Sequence, residues 1–267
     1  MIKIIFSDMD GTLLDENGNL PREFDEVMAE LAKRNVLFAP ASGRQYFSLI
    51  KTFPDYVDRF LFLSDNGTIV REQGKILFSN AMDKNEGLSI LRVTENIPEI
   101  CEVYCGRDKA YLLNKKCPQR FIDEVGIYFG RCEFVDDFST VDDEIVKASF
   151  YIASGEAEQK IYPLFRKYGK DYQVVLASLY WVDIMNLDAN KGEAVQAVQK
   201  RLNIKPEECA AFGDYMNDRE MLGAVYHSYA MENAYPAIKE MARYIAPSNR
   251  EHGVMQTIKK FMAEGLL

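Results

Sequence analysis

The sequence predicts an α/β protein, a doubly wound parallel-sheet core interrupted by an inserted α+β module. Three observations carry that prediction. A short apolar strand opens the chain and breaks off at Asp8-Met9-Asp10-Gly11-Thr12. Strand and helix patterns then alternate to about residue 81 and resume at Asn190-Lys191-Gly192. Between these stretches strands arrive in pairs, as an antiparallel sheet requires. The core is expected over residues 1–81 and 187–267, and the insert over 82–186.

Each element has its own reason. Ile2, Ile4, Ile5 and Phe6 form a β-branched apolar run that suits a buried parallel strand. Residues 15–19 read as a tight turn, with Asn17-Gly18 as a hairpin signal. Pro21 opens a helix striped by Phe24, Val27, Met28 and Leu31. The second strand covers 36–41 and ends at Ser42-Gly43-Arg44; a helix through Tyr46, Leu49 and Ile50 follows. The third strand, 60–63, ends at Ser64-Asp65-Asn66-Gly67, and Gln73-Gly74 joins a hairpin. In the insert, strands fit 102–105, 111–113, 146–152, 172–177 and 180–185, with helices around Leu88–Val93, through Phe121, Val125 and Tyr128, and over 157–168. The core resumes with a helix striped by Ala194, Val195, Val198 and Leu202. A buried strand at 209–212 then stops at Gly213-Asp214-Tyr215-Met216-Asn217-Asp218. Short strands at 226–230 and 244–245 and a helix over 254–262 complete the chain.

Composition narrows the function classes. The hydrophobic share of 48% and charged share of 27% are ordinary for a soluble globular protein. No run approaches the roughly 20 apolar residues of a membrane span. The chain enters its first strand with no basic lead or cleavage site, so no signal peptide is expected. A net charge of −9 argues against nucleic acid or an anionic membrane as partner. The five cysteines, Cys101, Cys105, Cys117, Cys132 and Cys209, match no zinc spacing and suit a reduced, cytoplasmic setting. His227 and His252 are the only histidines, which disfavours a histidine-based zinc site or triad. A monomer or weak homo-oligomer is expected.

Four segments fall at strand ends or helix starts of one sheet: Asp8/Asp10, Ser42, Lys191, and Asp214 with Asn217/Asp218. Ligands of open α/β sheets sit at that edge. Two acids beside a glycine turn can hold a hard dication on oxygen and leave a carboxylate to react. Taken singly, Ser42 also reads as a helix N-cap, Lys191 as a solvated helix residue, and Asp214, Asn217 and Asp218 as turn or cap residues.

In sequence order, these segments resemble motifs one to four of the haloacid dehalogenase superfamily. The form Gly213-Asp214-x-x-Asn217-Asp218 and the place of the insert resemble its Cof-type branch with a type IIB cap on a Rossmann-like core. Asp65-Asn66-Gly67 and Met231-Glu232-Asn233-Ala234 also look like landmarks of that branch, although the family more usually has Met-Gly at 231–232. The resemblance spans essentially the whole chain and is closest to bacterial sugar phosphatases.

It implies a Mg²⁺-dependent phosphatase in which Asp8 is the nucleophile and Asp10 the general acid and base. Ser42, Gly43, Lys191 and Asn217 would bind phosphate. Asp8, Asp10 (through its carbonyl) and Asp214 would hold the metal, with Asn217 and Asp218 orienting Lys191 and the metal's surroundings. The implied substrate is a small phosphorylated metabolite, a sugar phosphate first, with flavin mononucleotide and pyridoxal phosphate also open. A phosphomannomutase-like phosphomutase shares these motifs. A phospho-accepting signalling receiver combines similar residue types, but on about half this length and with adjacent leading acids.

Overall fold

A computed structural model describes residues 1–114 and 117–267. The chain begins with β1 (Ile4–Asp8), whose end turns tightly through Met9–Leu13. There follow α1 (Phe24–Lys33), β2 (Leu37–Ala41), α2 (Tyr46–Thr52), β3 (Leu61–Ser64), β4 (Ile69–Glu72) and β5 (Lys75–Ser79). The middle of the chain supplies α3 (Lys84–Leu91), β6 (Ile100–Gly106), β7 (Ala110–Leu113), α4 (Gln119–Tyr128), β8 (Cys132–Val135) and β9 (Ile145–Ile152). It continues with α5 (Ala157–Lys160), α6 (Tyr162–Phe165), β10 (Tyr172–Leu176) and β11 (Trp181–Asn186). The last part holds α7 (Lys191–Leu202), β12 (Cys209–Gly213), α8 (Arg219–Gly223), β13 (His227–Met231), α9 (Pro236–Met241), β14 (Tyr244–Ala246) and α10 (Gly253–Ala263).

These elements make two compact units. One takes Met1–Ser42, Asp55–Phe78 and Asn190–Leu267; the other takes Gly43–Pro54 and Ser79–Ala189. The fold class is the expected one, a doubly wound core with an inserted α+β module.

The first unit is built on a sheet of order β14-β13-β12-β1-β2-β3-β4-β5. β1 runs parallel to both β2 and β12, with Ile4 beside Leu37 on one side and Cys209 on the other. Covered on both faces, Ile4, Ile5 and Phe6 have no exposed surface, which is why they read as a continuous apolar run. The chain leaves β1 toward β2 and β3, then resumes at β12 on β1's other side. The reversal of direction therefore falls between β1 and β12, at the ends that carry Asp8 and Gly213. The predicted stripe of α1 is buried, and Phe24 meets Phe38, Tyr56 and Phe60 with ring centroids 5.9, 5.5 and 6.3 Å apart.

Two local readings need adjustment. The Asn17-Gly18 turn is tight but joins no strands. The Asp15 carboxylate closes it by accepting from the amides of Asn17 (2.9 Å) and Asn19 (2.8 Å). Helix α1 begins three residues after Pro21, whose carbonyl accepts from the Phe24 amide in a turn ahead of the helix. The Gln73-Gly74 hairpin is as expected. Both residues have positive φ, +49° and +74°, so the turn twists with its strands.

The second unit has a sheet of order β10-β11-β9-β6-β7-β8. It is antiparallel except for the parallel pair β7–β8. The sequence does not reveal β8, because this edge strand is largely exposed and carries no apolar alternation. The single helix expected over 157–168 is instead α5, α6 and a 3₁₀ segment at Arg166–Lys170. Pro163 lacks the amide proton a continuous helix would need there. One face of this sheet packs Phe150 on Phe165 (4.4 Å) within a core that includes Tyr104, Ile152 and Ile184.

The neighbouring residues of β9 and β11 hold a buried polar cluster. The Lys147 ammonium lies 3.1 Å from Asp183 Oδ2, and Ser149 donates to Asp183 Oδ1 at 2.6 Å. Lys147 also donates to the Gly43 carbonyl (3.3 Å). Such contacts explain why residues 43–54, next to core strands in the chain, pack with this unit. The Ser48 hydroxyl donates to the Ile127 carbonyl (2.7 Å), and the Arg131 guanidinium lies over the Phe47 ring at 4.0 Å. All five cysteines are free. Among the described residues, no helix is long and apolar enough to cross a membrane.

Truncating Phe24 to Ala removes a ring with three aromatic neighbours from a closed core. The unfolding free energy should fall by about 3–5 kcal/mol, read from urea unfolding followed by far-UV circular dichroism. A loss under about 1 kcal/mol would mean that the site is not a packed core position.

Candidate active site

The site lies where β1 and β12 end. Asp8 is the last residue of β1, and its side chain points into the protein (6% exposed). Lys191 opens α7. Asn190 caps that helix by accepting from the Glu193 amide (2.9 Å), so the lysine's position is set by the helix start. Its side chain is completely buried. The ammonium reaches Asp8 Oδ1 at 2.5 Å and Asp218 Oδ1 at 2.6 Å. The second oxygen of Asp218 accepts from the amides of Asp214 (3.0 Å) and Tyr215 (3.2 Å), which fixes the loop after β12. Thr12 donates to Asp214 Oδ1 (3.0 Å) and so ties that loop to the turn after β1.

Two glycines make this closeness possible. Gly11 has φ +84°, and a Cβ there would stand 2.4 Å from Asp214 Oδ2. Gly67 has φ +88°, and its Cβ would stand 2.5 Å from the Asn190 carbonyl oxygen and 2.7 Å from Lys191 Cα. Any other residue would strain the turn and push Asp214 or the start of α7 away.

Carboxylate oxygens of Asp8, Asp214 and Asp218 lie within 4.8 Å of one another. Burial raises the Asp8 carboxyl well above its usual range, and the charge of Asp218 adds to the rise; Lys191 offsets only part of it. Burial and Asp218 likewise push Asp214 up to about 6. For Lys191, burial opposes the charge, but Asp218 and Asp8 outweigh it and hold the ammonium above its ordinary value. Three carboxylates thus share one ammonium, and two formal negative charges remain. Clustered hard oxygen donors with that deficit fit a dication such as Mg²⁺, which would draw the carboxyls back to their ionised form.

The remaining sequence-derived positions are also placed. Asp10 follows Met9 and is exposed, two residues beyond Asp8. It is not part of the close carboxylate group, whereas Asp218 is. Ser42 is buried; its amide donates to the Leu63 carbonyl, and its own carbonyl accepts from the Asn66 amide, both at 2.9 Å. Gly43 follows and belongs to the second unit. Asn217 donates to Asn66 Oδ1 (3.3 Å), while Lys191 is held by Asp8 and Asp218.

Three contributors escape a reading of the sequence. Thr12 finds its partner 202 residues away. Asn233 donates to the Gly11 carbonyl (2.8 Å), a role that its motif did not disclose. Asn249, whose amide donates to Asn233 Oδ1 (3.1 Å), also donates through Nδ2 to the Leu14 carbonyl (2.9 Å). An isolated asparagine in a loop gives no signal of such bracing.

Residues 5–258 match the family model for haloacid dehalogenase-like hydrolases. The chain is 31% identical over 262 residues to the 5-amino-6-(5-phospho-D-ribitylamino)uracil phosphatase YbjI of Escherichia coli (strain K12), covering 98% of this chain and 96% of that protein. The crystal structure of SMU.1108c from Streptococcus mutans UA159 is similar at a TM-score of 0.87 and 29% identity, covering 98% of this chain and 100% of that one. The HAD subclass IIB sugar phosphatase BT4131 shares the fold, at a TM-score of 0.79 and 18% identity over 97% of this chain and 98% of that one. The chain belongs to the haloacid dehalogenase-like hydrolase family. The resemblance of its motifs to a Cof-type phosphatase is borne out.

The raised carboxyls would make the binding of a metal here pH-dependent. A carboxyl whose folded pKa is raised stabilises the fold below its ordinary value of 3.8 and loses that contribution as pH rises, for Asp214 through about 6. Protons and metal compete for the same oxygens. The rise in melting temperature caused by Mg²⁺ should therefore be larger at about pH 7.5 than at about pH 5. Equal rises at both pH values, measured by scanning calorimetry, would show that these carboxyls do not hold the ion.

Proposed function

We propose that the chain is a Mg²⁺-dependent phosphomonoesterase of small phosphorylated metabolites, sugar phosphates first, working through an aspartyl phosphate. The observation that carries this reading is the Lys191 ammonium joined at once to Asp8 and Asp218, with Asp214 in the same cluster. A nucleophilic carboxylate must be held beside positive charge if it is to approach a phosphate dianion. The substrate class is supported by the relative named for 5-amino-6-(5-phospho-D-ribitylamino)uracil, a small metabolite whose phosphate is carried on a ribityl chain.

Bound Mg²⁺, held by Asp8, Asp214 and the Asp10 carbonyl, would supply positive charge to the non-bridging phosphoryl oxygens. The other work falls to the chain's own residues. Asp8 attacks phosphorus; the aspartyl O–P bond forms and the ester P–O bond breaks. Asp10 gives its proton to the departing alkoxide. It then takes a proton from the water that attacks phosphorus, which breaks the aspartyl O–P bond, frees orthophosphate and restores Asp8. Its exposure suits a group that must meet both substrate and water. Ser42 and Asn217 donate to phosphoryl oxygens. Gly43 contributes a position beside Ser42 where backbone can come close. Lys191 holds Asp8 in place and offsets part of the cost of ionising it, and Asp218 holds Lys191. The second unit is assigned the choice among esters.

Asp8→Asn should leave no phosphate release above background while the protein stays folded by far-UV circular dichroism; turnover near the wild-type rate would remove Asp8 as the nucleophile. Asp10→Asn should slow hydrolysis of a sugar phosphate by about 10²–10⁴-fold, and slow a nitrophenyl ester much less, because nitrophenolate leaves without a proton. Equal losses on both esters would refute the acid role. EDTA should silence the enzyme and Mg²⁺ restore it, measured as released phosphate.

A further inference from the structure

The turn Asp65-Asn66-Gly67 has no role in the chemistry just described, yet it touches three of the segments that the chemistry needs. All three residues have positive φ, at +50°, +57° and +88°. Two consecutive non-glycine residues in the left-handed region are a costly conformation, kept only where the surroundings impose it. Asparagine is among the few side chains that tolerate it. Asp65 and Asn66 are also buried.

The contacts explain what the conformation achieves. The Asn66 amide donates to the Ser42 carbonyl at 2.9 Å. Asn66 Oδ1 accepts from Asn217 Nδ2 at 3.3 Å. Gly67 lies so close to Asn190 and Lys191 that a Cβ would collide with both. One short turn therefore gathers the serine of β2's end, the start of α7 and the asparagine of the loop after β12. Those segments are far apart in sequence; Asn66 and Asn217 are 151 residues apart.

We propose that Asn66 is a positioning residue of the phosphate site: its side-chain carbonyl sets the orientation of the Asn217 amide, and its backbone amide sets the height of Ser42. This rests on the reading of Ser42 and Asn217 as phosphate ligands. With Oδ1 of Asn66 accepting one Asn217 proton, the second proton of that amide group is left to a phosphoryl oxygen. A freely rotating Asn217 would present its carbonyl oxygen to the anion for part of the time, and that orientation repels.

Asn66→Gly separates the site role from a fold role. Glycine adopts the left-handed conformation freely and keeps the backbone amide on Ser42, while the side-chain link to Asn217 is lost. The N66G variant should melt at or above the wild-type temperature. Its KM for a nitrophenyl ester and its inhibition constant for orthophosphate should both rise by about tenfold, the worth of one hydrogen bond to a charged group, with a smaller change in kcat. In the double variant with Asn217→Ala, N66G should add little to the effect of N217A alone, since both remove the same contact. An inhibition constant within about twofold of wild type, or effects that multiply in the double variant, would overturn the proposal. Loss of the cooperative melt in N66G would assign Asn66 to the fold and overturn it too. A wild-type chain that hydrolyses no phosphate ester and binds no orthophosphate would take down the phosphatase reading and this proposal together; an active wild type with an unaltered N66G would remove the proposal alone.

Discussion

Everything in the first unit depends on one buried ammonium held between two carboxylates. Lys191 has no exposed surface, and a bare charge in such a place would be strongly destabilising. It persists because Asp8 and Asp218 meet it at 2.5 and 2.6 Å, and because Asp218 is itself held by two backbone amides. Losing one partner would strand the other charges. Strand β1, the start of α7 and the loop after β12 must therefore keep their relative positions closely. The same constraint that stabilises the fold thus preorganises a nucleophile beside positive charge.

The arrangement is only partly neutralised. Asp8 and Asp214 both have raised proton affinities because they are buried and because the third carboxylate, Asp218, lies close. A cluster in that state is a poor structural element by itself but a good site for a hard dication. Glycine makes the crowding possible. Without Cβ atoms, Gly11 and Gly67 let one turn approach the Asp214 carboxylate and another approach the first residues of α7. The bracing around these turns comes from short polar side chains, Thr12, Asn66, Asn233 and Asn249, each of which fastens a loop to a distant one.

Much of this was legible beforehand, for definite physical reasons. β1 could be read because a strand covered on both faces needs an unbroken apolar run. α1 and α7 could be read because a helix with one buried face repeats its apolar residues at helical spacing. The acidic motifs stood out because they interrupt strands at their carboxyl ends. Elements without such a pattern stayed hidden. β8 is an exposed edge strand, and α8 and α9 are too short to show a period. Tyr162-Pro163 looked like the middle of a helix until the missing amide of the proline was set against the break between α5 and α6.

The sequence by itself determined the order of strands and helices, the charged residues that end the strands, and the family to which they belong. These follow from local patterns of apolarity and from short motifs, which a linear reading can see. Tertiary structure decided which charge meets which. It placed Asp218 in the carboxylate cluster beside Lys191, set Asn217 against Asn66, and packed residues 43–54 with the second unit. Those pairings join segments tens to hundreds of residues apart, and only the folded backbone, with its glycine close approaches, brings them within hydrogen-bonding distance.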